Sequence, residues 1–254
     1  MKIVAIIPAR ISSSRFPNKV LFDFYGLPML EHVRRRALLA KSISDVFVAT
    51  CDIEIAEKIK SFGGKVLMTS NSHTNGTSRI AEAAELIDCT HIVLIQGDEP
   101  LILPRHVDDI VNSINNNPKD IAWNAISNIE EESELHNTSI VKCTINKNNI
   151  IQFCYRKTPF KSDYIVQKEV VKKLQGLLAF EKSFLLNLAK MEESVIEKNE
   201  SIEQMKLIEN GFSLYSVLIS PSLPSVNEPS DVEAVLSHLE FDEEQKVLLH
   251  KILK

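Results

Sequence analysis

Short runs of apolar, largely β-branched residues alternate with segments of helical periodicity through the first half of the chain. Such alternation is typical of βαβ units, in which each helix returns the chain to the next strand of a parallel sheet. The runs predict strands at residues 3–7, 46–50, 66–68 and 91–95, and the patterns between them predict helices at residues 28–40, 53–62 and 77–87. The fold class is therefore expected to be α/β, with a mostly parallel, buried sheet.

The second half of the chain has a different rhythm, which begins near Asp120. Residues 140–145 and 150–153 flank the sequence Asn-Lys-Asn-Asn and predict a β-hairpin, which indicates a smaller mixed lobe. The polar stretch 190–203 is interpreted as an exposed helix or loop. A strand at 214–219 and two helices, at 231–239 and 243–252, are predicted to complete the chain.

Composition excludes several classes of protein. The 254 residues are 44% hydrophobic, which is ordinary for a globular protein, and the formal net charge is −5. A negative chain is a poor match for nucleic acid, and no run approaches the roughly 20 apolar residues that span a bilayer. The amino-terminal apolar run ends at Pro8 and is too short for a secretory signal. The four cysteines lack metal-site spacing, so we expect reduced thiols and a cytoplasmic protein.

The segment after the first predicted strand combines cations, serines and prolines. It contains Arg10, Arg15 and Lys19 at a strand end, where an α/β sheet binds its ligands. Arginine offers a planar pair of donors to phosphate oxygens, and lysine adds a movable positive charge. The pattern indicates a polyphosphate site, although three exposed cations could also serve only to keep the surface soluble.

A second polar segment, Gln96 to Pro100, follows the most hydrophobic predicted strand. A carboxylate such as Asp98 at the end of a buried strand is unfavourable unless a cation or hydrogen bonds compensate it. Mg²⁺ bridging Asp98 and substrate phosphates would provide that compensation. The alternative is that Asp98 only caps a following turn.

A third segment, Asn75 to Arg79, opens a predicted helix with small residues. Free N–H groups at the helix start, together with Arg79, could contact a base or a phosphate. The alternative interpretation is ordinary helix capping by Thr77.

Taken together, these segments resemble the CMP-Kdo synthetases, the 3-deoxy-manno-octulosonate (Kdo) cytidylyltransferases. The matching pieces are IIPAR-x-x-S-x-R-x-P-x-K, GLPMLEHV, VATCDIEIAE, GGKVLMTS, NGTSRIAEA and QGDEPLI, which span residues 1–101 with little gapping. The resemblance implies a Rossmann-like nucleotidyltransferase fold, a three-layer sandwich with a smaller mixed lobe. It implies transfer of CMP from CTP to an acidic sugar such as Kdo, with release of pyrophosphate, in surface-polysaccharide (lipopolysaccharide) biosynthesis.

The resemblance also assigns roles to residues. The implied catalytic groups are Arg10, Arg15, Lys19 and Asp98. The implied nucleotide-binding residues are Pro8, Ala9, Arg10, Ser13, Arg15, Lys19, Gly76, Thr77, Arg79, Gln96 and Asp98. The implied acceptor-binding residues are Gln96, Lys142, Arg156, Glu203 and Gln204. Mg²⁺ is the implied cofactor, with Asp98 as a ligand. The chain is expected to be one domain, 1–254, in which 127–190 form a smaller lobe for acceptor binding and for a homodimer.

The chain departs from the family in the half that should hold the sugar. Where the family has His-x-Gly-x-Tyr, this sequence has Leu174 and Leu178 in place of the two polar rings. Where the family has Val-Asp-Thr-Pro, with an aspartate ligand, it has Asn227 and Glu228 as candidates for the second metal ligand. These changes leave two alternatives: a different acceptor, such as a nonulosonate, an amino-Kdo or a phosphonate, or a nucleotide-binding regulatory protein without turnover.

Overall fold

A central sheet of nine strands organises the computed structural model, which describes residues 1–13 and 15–254. The strands are β1 (Ile3–Ala9), β2 (Asp23–Phe24), β3 (Leu27–Pro28), β4 (Val46–Thr50), β5 (Lys65–Met68), β6 (His91–Ile95), β7 (Ala122–Asn128), β8 (Lys142–Ile145), β9 (Ile151–Tyr155), β10 (Val171–Glu181) and β11 (Tyr215–Leu218). Strands β2 and β3 form a separate antiparallel pair.

The helices connect these strands or close the chain. They are α1 (Met29–Leu38), α2 (Ile53–Ser61), α3 (Gly76–Glu85), α4 (Pro104–Asn116), α5 (Glu132–His136), α6 (Tyr164–Val170), α7 (Lys182–Leu188), α8 (Val195–Glu200), α9 (Gln204–Glu209), α10 (Asp231–Phe241) and α11 (Glu243–Ile252). No helix among the described residues is both long enough and apolar enough to cross a membrane.

The sheet order places two polar loops side by side. The order is β11-β7-β10-β6-β1-β4-β5, and β1 pairs in parallel with β4 on one side and with β6 on the other. Parallel strands end at the same edge of a sheet, and the strand order reverses at β1. The loops after β1 and β6 therefore flank a crevice of the kind in which open α/β sheets bind ligands.

Helices cover both faces of this sheet, which confirms the predicted three-layer α/β fold. Along β1, Ile3, Ala5 and Ile7 join a cluster with residues of α1, α2 and α4, whereas Val4 and Ile6 face the opposite cluster with residues of α3 and α7. All seven residues of β1 are buried because neither face meets solvent. The predicted strands at 46–50 and 91–95 are confirmed residue for residue.

Strand β10 joins the smaller lobe to the central sheet. Its first residues, Val171 to Lys173, pair with the β8–β9 hairpin that the sequence predicted. Its last residues, Leu177 to Glu181, pair antiparallel with β6 in the centre of the sheet. The register is irregular between Leu174 and Leu178, so the chain bulges where it passes from the lobe to the sheet. Segment 127–190 thus shares a strand with the central sheet, and its role in dimerisation stays a prediction.

The polar stretch 190–203 is less exposed than the sequence indicated. Ser194 and Glu197 form a capping box at the start of α8, and Glu197 is buried. Glu197 lies 3.5 Å from the amine of Lys206, and Ile202 packs into the core. The predicted exposed helix or loop is present as α8 with several exposed positions, but Glu197 is an exception, because local capping and a lysine from the next helix compensate its buried charge.

Candidate functional site

A cavity of about 780 Å³ lies over the carboxyl ends of β1 and β6. Most of the predicted site residues line it, namely Pro8, Ala9, Arg10, Ser13, Arg15, Lys19, Gly76, Arg79, Gln96, Asp98, Arg156, Glu203, Gln204 and Asn227. Thr77, Lys142 and Glu228 do not line it. The sheet thus brings together groups from both halves of the sequence.

The loop after β1 is held by a carboxylate from the neighbouring strand. Asp52, which follows β4, accepts a hydrogen bond from the N–H of Ile11 at 2.8 Å. Farther along, the N–H of Asn18 donates to the carbonyl of Ile11 at 3.2 Å. These contacts fold the loop back on itself and direct Arg10, Arg15 and Lys19 to the same cavity.

Asp98 pairs with a lysine of that loop. Its Oδ2 atom lies 2.5 Å from the Nζ atom of Lys19, which also donates to the carbonyl of Val226 at 3.0 Å. The α4 helix has Leu103 as its N-cap, so Asp98 does not serve as a cap for that helix. The preceding Gly97 allows the strand end to approach closely, because a Cβ atom there would lie 3.2 Å from the carbonyl oxygen of Pro8.

The segment after β11 contacts both Lys19 and Asp98. The N–H of Val226 donates to the carbonyl of Asp98 at 2.9 Å. Asn227 lines the cavity. Its Nδ2 atom donates to Ser225 Oγ at 3.1 Å, so its Oδ1 atom points away from Ser225. Glu228 accepts from Ser139 Oγ at 3.0 Å and lies 3.8 Å from Arg15. Of the two candidate second ligands, Asn227 rather than Glu228 therefore faces the cavity.

The start of α3 is occupied by a carboxylate from a distant part of the chain. Glu203 accepts hydrogen bonds from the N–H of Gly76 at 3.3 Å and from the N–H of Thr77 at 3.0 Å. The helix is capped by Asn75, whose Oδ1 accepts from Ser78 N at 2.8 Å. The expectation of free N–H groups here is wrong, and so is the assignment of the cap to Thr77.

Arg79 is buried beneath the same helix end. Its Nη1 atom donates to Thr69 Oγ1 at 2.7 Å and to the carbonyl of Ser70 at 3.2 Å. The guanidinium therefore fixes the segment after β5, and only a small part of it borders the cavity. Its role in nucleotide binding stays a prediction.

Glu99 is a functional candidate that sequence reasoning missed. Its Oε1 atom accepts from the N–H of Gly176 at 3.1 Å, and the N–H of Gln96 donates to the carbonyl of Gly176 at 2.7 Å. Burial, followed by the nearby charge of Asp98, raises the pKa of Glu99 to about 8. A Cβ atom at position 176 would lie 2.5 Å from Glu99 Oε1 and 2.9 Å from the Cβ atom of Gln96, so glycine allows the β10 bulge to dock closely here.

The smaller lobe contributes an arginine and a lysine to the cavity. Arg156 lines it and donates to the carbonyls of Glu200, Thr138 and Ser201 at 2.8, 3.1 and 3.1 Å. Lys173 also lines it and is paired with Glu134. This pair was missed because Lys173 and Glu134 lie in segments with no recognisable motif.

Lys142, a predicted acceptor ligand, is fully buried beside the cavity. Its Nζ atom donates to the carbonyls of Asn137 at 2.7 Å and Ile140 at 3.0 Å. Burial, together with the positive charge of Arg156, lowers the pKa of Lys142 to about 8. The amine holds the loop between α5 and β8, and it cannot reach an acceptor in this conformation.

Leu174 and Leu178 differ in position. Leu178 belongs to a hydrophobic core cluster, and Leu174 is partly buried and packs against the same cluster. Leu174 also lines the cavity, whereas Leu178 does not. Only one of the two departures from the family pattern therefore changes the surface of the site.

Comparisons with known proteins agree with this geometry. The sequence model of a family described as Cytidylyltransferase matches residues 4–219. The 3-deoxy-manno-octulosonate cytidylyltransferase of Geobacter sulfurreducens is 36% identical, with 94% of this chain and 100% of that protein covered. The 8-amino-3,8-dideoxy-manno-octulosonate cytidylyltransferase of Shewanella pealeana is 33% identical, with 95% of this chain and 100% of that protein covered.

A solved structure has the same fold over nearly the whole chain. It is described as CMP:2-keto-3-deoxy-manno-octonic acid synthetase complexed with CTP, and it is 32% identical with a TM-score of 0.87. The alignment covers 95% of this chain and 100% of that one. From the family match, the full-length relatives and this structural likeness, we conclude that the chain is a member of the cytidylyltransferase family.

Proposed function

We propose that this protein transfers CMP from CTP to the anomeric hydroxyl of an acidic sugar of the Kdo class and releases pyrophosphate. The observation that carries the proposal is one cavity lined by two groups of charged residues: Arg10, Arg15, Lys19 and Asp98 from the loops after β1 and β6, and Arg156 and Lys173 from the smaller lobe. The first group suits a triphosphate, and the second suits a carboxylate. The names of the relatives support the same assignment.

The reaction requires positioning and charge neutralisation more than covalent participation by the protein. The sugar oxygen forms a bond to the α-phosphorus as the bond from phosphorus to the pyrophosphate oxygen breaks, and the hydroxyl proton leaves to water. Arg10, Arg15 and Lys19 would hold the triphosphate and stabilise the charge that develops on the departing pyrophosphate.

The residues present fit a magnesium ion that is bound mainly through the nucleotide. Mg²⁺ usually takes one or two protein oxygens and completes its octahedron with phosphates and water. Asp98 provides a carboxylate in the cavity. Asn227 provides an amide oxygen, because its hydrogen bond to Ser225 is made by the Nδ2 atom and not by the Oδ1 atom. These two residues would hold the ion, which supplies Lewis-acid polarisation of the phosphates when bound.

A second acceptor, an amino-Kdo, is favoured by two observations. Relatives such as that of Shewanella pealeana are named for the 8-amino sugar. Glu130 and Glu131, in the smaller lobe, also line the cavity, where an ammonium group would meet negative charge. Leu174 lines the same cavity and lacks the polar contact that the family pattern would offer Kdo.

The test is pyrophosphate release with CTP, Mg²⁺ and a panel of acidic sugars that includes Kdo, its 8-amino analogue and nonulosonates. Release with at least one of them is expected, and omission of Mg²⁺ should abolish it. Tight CTP binding without release for any acceptor would contradict the proposal and favour the regulatory alternative.

We also propose a homodimer formed through the smaller lobe. Five large apolar side chains in its hairpin and α6 region are exposed, namely Phe153, Phe160, Ile165, Val166 and Val170. Exposed apolar surface of this kind often marks a protein interface. Sedimentation equilibrium should give twice the chain mass for the wild type and a monomer for Ile165→Glu. A monomeric wild type would contradict this assignment. The cytoplasmic location and the absence of a nucleic-acid partner stay predictions.

A further inference from the structure

Asn124 has an amide whose orientation follows from its partners. The residue lies on β7 and is fully buried. Its Nδ2 atom lies 2.8 Å from the carbonyl oxygen of Ala125, 3.1 Å from that of Gln175 and 3.4 Å from that of Leu177. Carbonyl oxygens can only accept hydrogen bonds, so the NH₂ group of Asn124 must face them. The Oδ1 atom must therefore point the opposite way.

The orientation of Asn124 determines that of a second amide. Gln204, the first residue of α9, has its Nε2 atom 3.0 Å from Asn124 Oδ1. Because that oxygen can only accept, Gln204 must present its NH₂ group to it. The Oε1 atom of Gln204 is consequently at the end that faces away from Asn124. No group among the described residues donates to it, and it is not among the buried unpaired atoms, so it is open to the cavity.

An oxygen at this place can accept a hydrogen bond from a hydroxyl or an ammonium group and would repel a carboxylate or a phosphate. The sugar carboxylate is therefore expected away from this oxygen, near a cation that lines the cavity, such as Arg156. We propose that Asn124 is a positioning residue: by orienting the amide of Gln204, it makes Gln204 an acceptor for a hydroxyl of the sugar and so contributes to acceptor specificity. This inference rests on the proposed function.

Asn124 has a second structural contact that the test must separate from this one. The carbonyls of Gln175 and Leu177, which its NH₂ group contacts, belong to the β10 bulge that forms one wall of the cavity. Substitution of Asn124 could therefore move the wall as well as Gln204. A variant of Gln204 itself leaves those carbonyl contacts in place.

The experiment compares kcat and KM for the acceptor and for CTP in wild type, Asn124→Ala, Gln204→Ala and the double variant. Each single change should raise the KM for the acceptor about tenfold, the scale of one hydrogen bond, and leave the KM for CTP unchanged. The double variant should show no further increase, because both changes remove the same contact. Additive effects, or equal effects on CTP, would overturn the inference.

A matched control and a second variant keep the test decisive. Gln245 is also a buried amide that contacts a carbonyl, that of Leu101 at 3.0 Å, and it lies outside the cavity. Gln245→Ala should lower thermal stability without changing the KM for the acceptor. If Asn124→Ala does not fold, Gln204→Glu carries the test, because it keeps an oxygen toward the cavity but places another against Asn124 Oδ1. Gln204→Glu should raise the KM for the acceptor as much as Gln204→Ala does.

The outcomes distinguish this inference from the function on which it rests. A wild type that turns over no acidic sugar would overturn the proposed function, and the inference with it. An active wild type in which Gln204→Glu retains the normal KM for the acceptor would overturn the inference alone.

Discussion

The carboxylate of Glu203 accepts a hydrogen bond from the N–H of Thr77 at 3.0 Å, across 126 positions of sequence. The contact joins the start of α3, which is proposed to bind the nucleotide, to the segment that carries Gln204, which is proposed to bind the acceptor. A negative charge at the amino end of a helix is also favourable to the helix dipole. Glu203 is therefore expected to stabilise the protein as well as to border the site.

Glu203→Ala should reduce the free energy of unfolding by about 1 to 3 kcal/mol, because it leaves two N–H groups without their charged partner. Glu203→Gln should reduce the free energy of unfolding by a smaller amount, since one acceptor oxygen remains. Urea denaturation of the three proteins tests this order. Equal stability for the alanine variant and the wild type would show that water replaces the carboxylate without cost.

Asp98→Ala should lower kcat by about 100-fold or more while the fold persists, because a metal-bound carboxylate contributes several kcal/mol to transition-state stabilisation. Pyrophosphate release and thermal melting are to be measured together. Asp88→Ala is the control, because Asp88 has a side chain that is 94% exposed and lies outside the cavity. Normal turnover by Asp98→Ala would contradict the assignment of Asp98 as a magnesium ligand.

Arg15→Ala and Lys19→Ala should each weaken CTP binding by about 1 to 3 kcal/mol, the scale of a lost charge-assisted hydrogen bond. Calorimetry with CTP and Mg²⁺ measures the effect. Lys65→Ala is a suitable control, because its side chain is 61% exposed and it lies on β5 at the edge of the sheet. If CTP affinity were the same in all three variants, the loop after β1 would be a solvated surface only.

Acceptor preference should depend on Leu174, which lines the cavity, and not on Leu178, which is in the core. We expect Kdo to be a poorer substrate than the best of the panel. Leu174→His should raise kcat/KM for Kdo about tenfold, because the ring can provide one hydrogen bond to the sugar acid. Leu218→His, on an exposed position of β11, controls for the added histidine. Kdo turnover near the best of the panel in the wild type would refute this expectation.

Stability should fall as the solution is acidified below the ordinary pKa of histidine. Burial lowers the pKa of His106 from 6.5 to about 4, and its Nε2 atom lies 3.1 Å from the carbonyl of Ser220. Between these two pKa values the unfolded chain binds a proton that the native protein does not, so the free energy of unfolding decreases from about pH 6.5 to pH 4.

His106→Gln removes this proton and should make the midpoint of urea denaturation less dependent on pH in that window. His250→Gln, at an exposed position of α11, should keep the wild-type dependence. Parallel curves for wild type and His106→Gln would show that the pKa of His106 is the same in the native and unfolded states.

Local patterns were sufficient to predict much of the sheet and one half of the site. The strands near residues 3–7, 46–50 and 91–95 were predictable because strands covered on both faces are continuously apolar. The loops after β1 and β6 were predictable as ligand loops because parallel strands end at one edge. The placement of Arg10, Arg15, Lys19 and Asp98 in one cavity follows from those two facts.

The other half of the site was decided by the tertiary structure. Strands β7 and β10 were not predicted, and neither was the difference between Leu174, which lines the cavity, and Leu178, which is buried in the core. Lys142 and Arg156 look alike as cations in the sequence, and backbone carbonyls accept hydrogen bonds from both, but Lys142 is fully buried whereas Arg156 lines the cavity.

Sequence periodicity records which face of an element is buried, because side chains repeat along a strand or helix with a fixed period. It does not record which distant element covers that face. The pairing of Glu203 with α3, the docking of Gly176 on Glu99 and the orientation of Gln204 by Asn124 each join residues far apart in the chain. Such contacts form only when the sheet order brings these segments together. For this reason the sequence alone determined the ligand loops after β1 and β6, while the fold determined how the smaller lobe meets them.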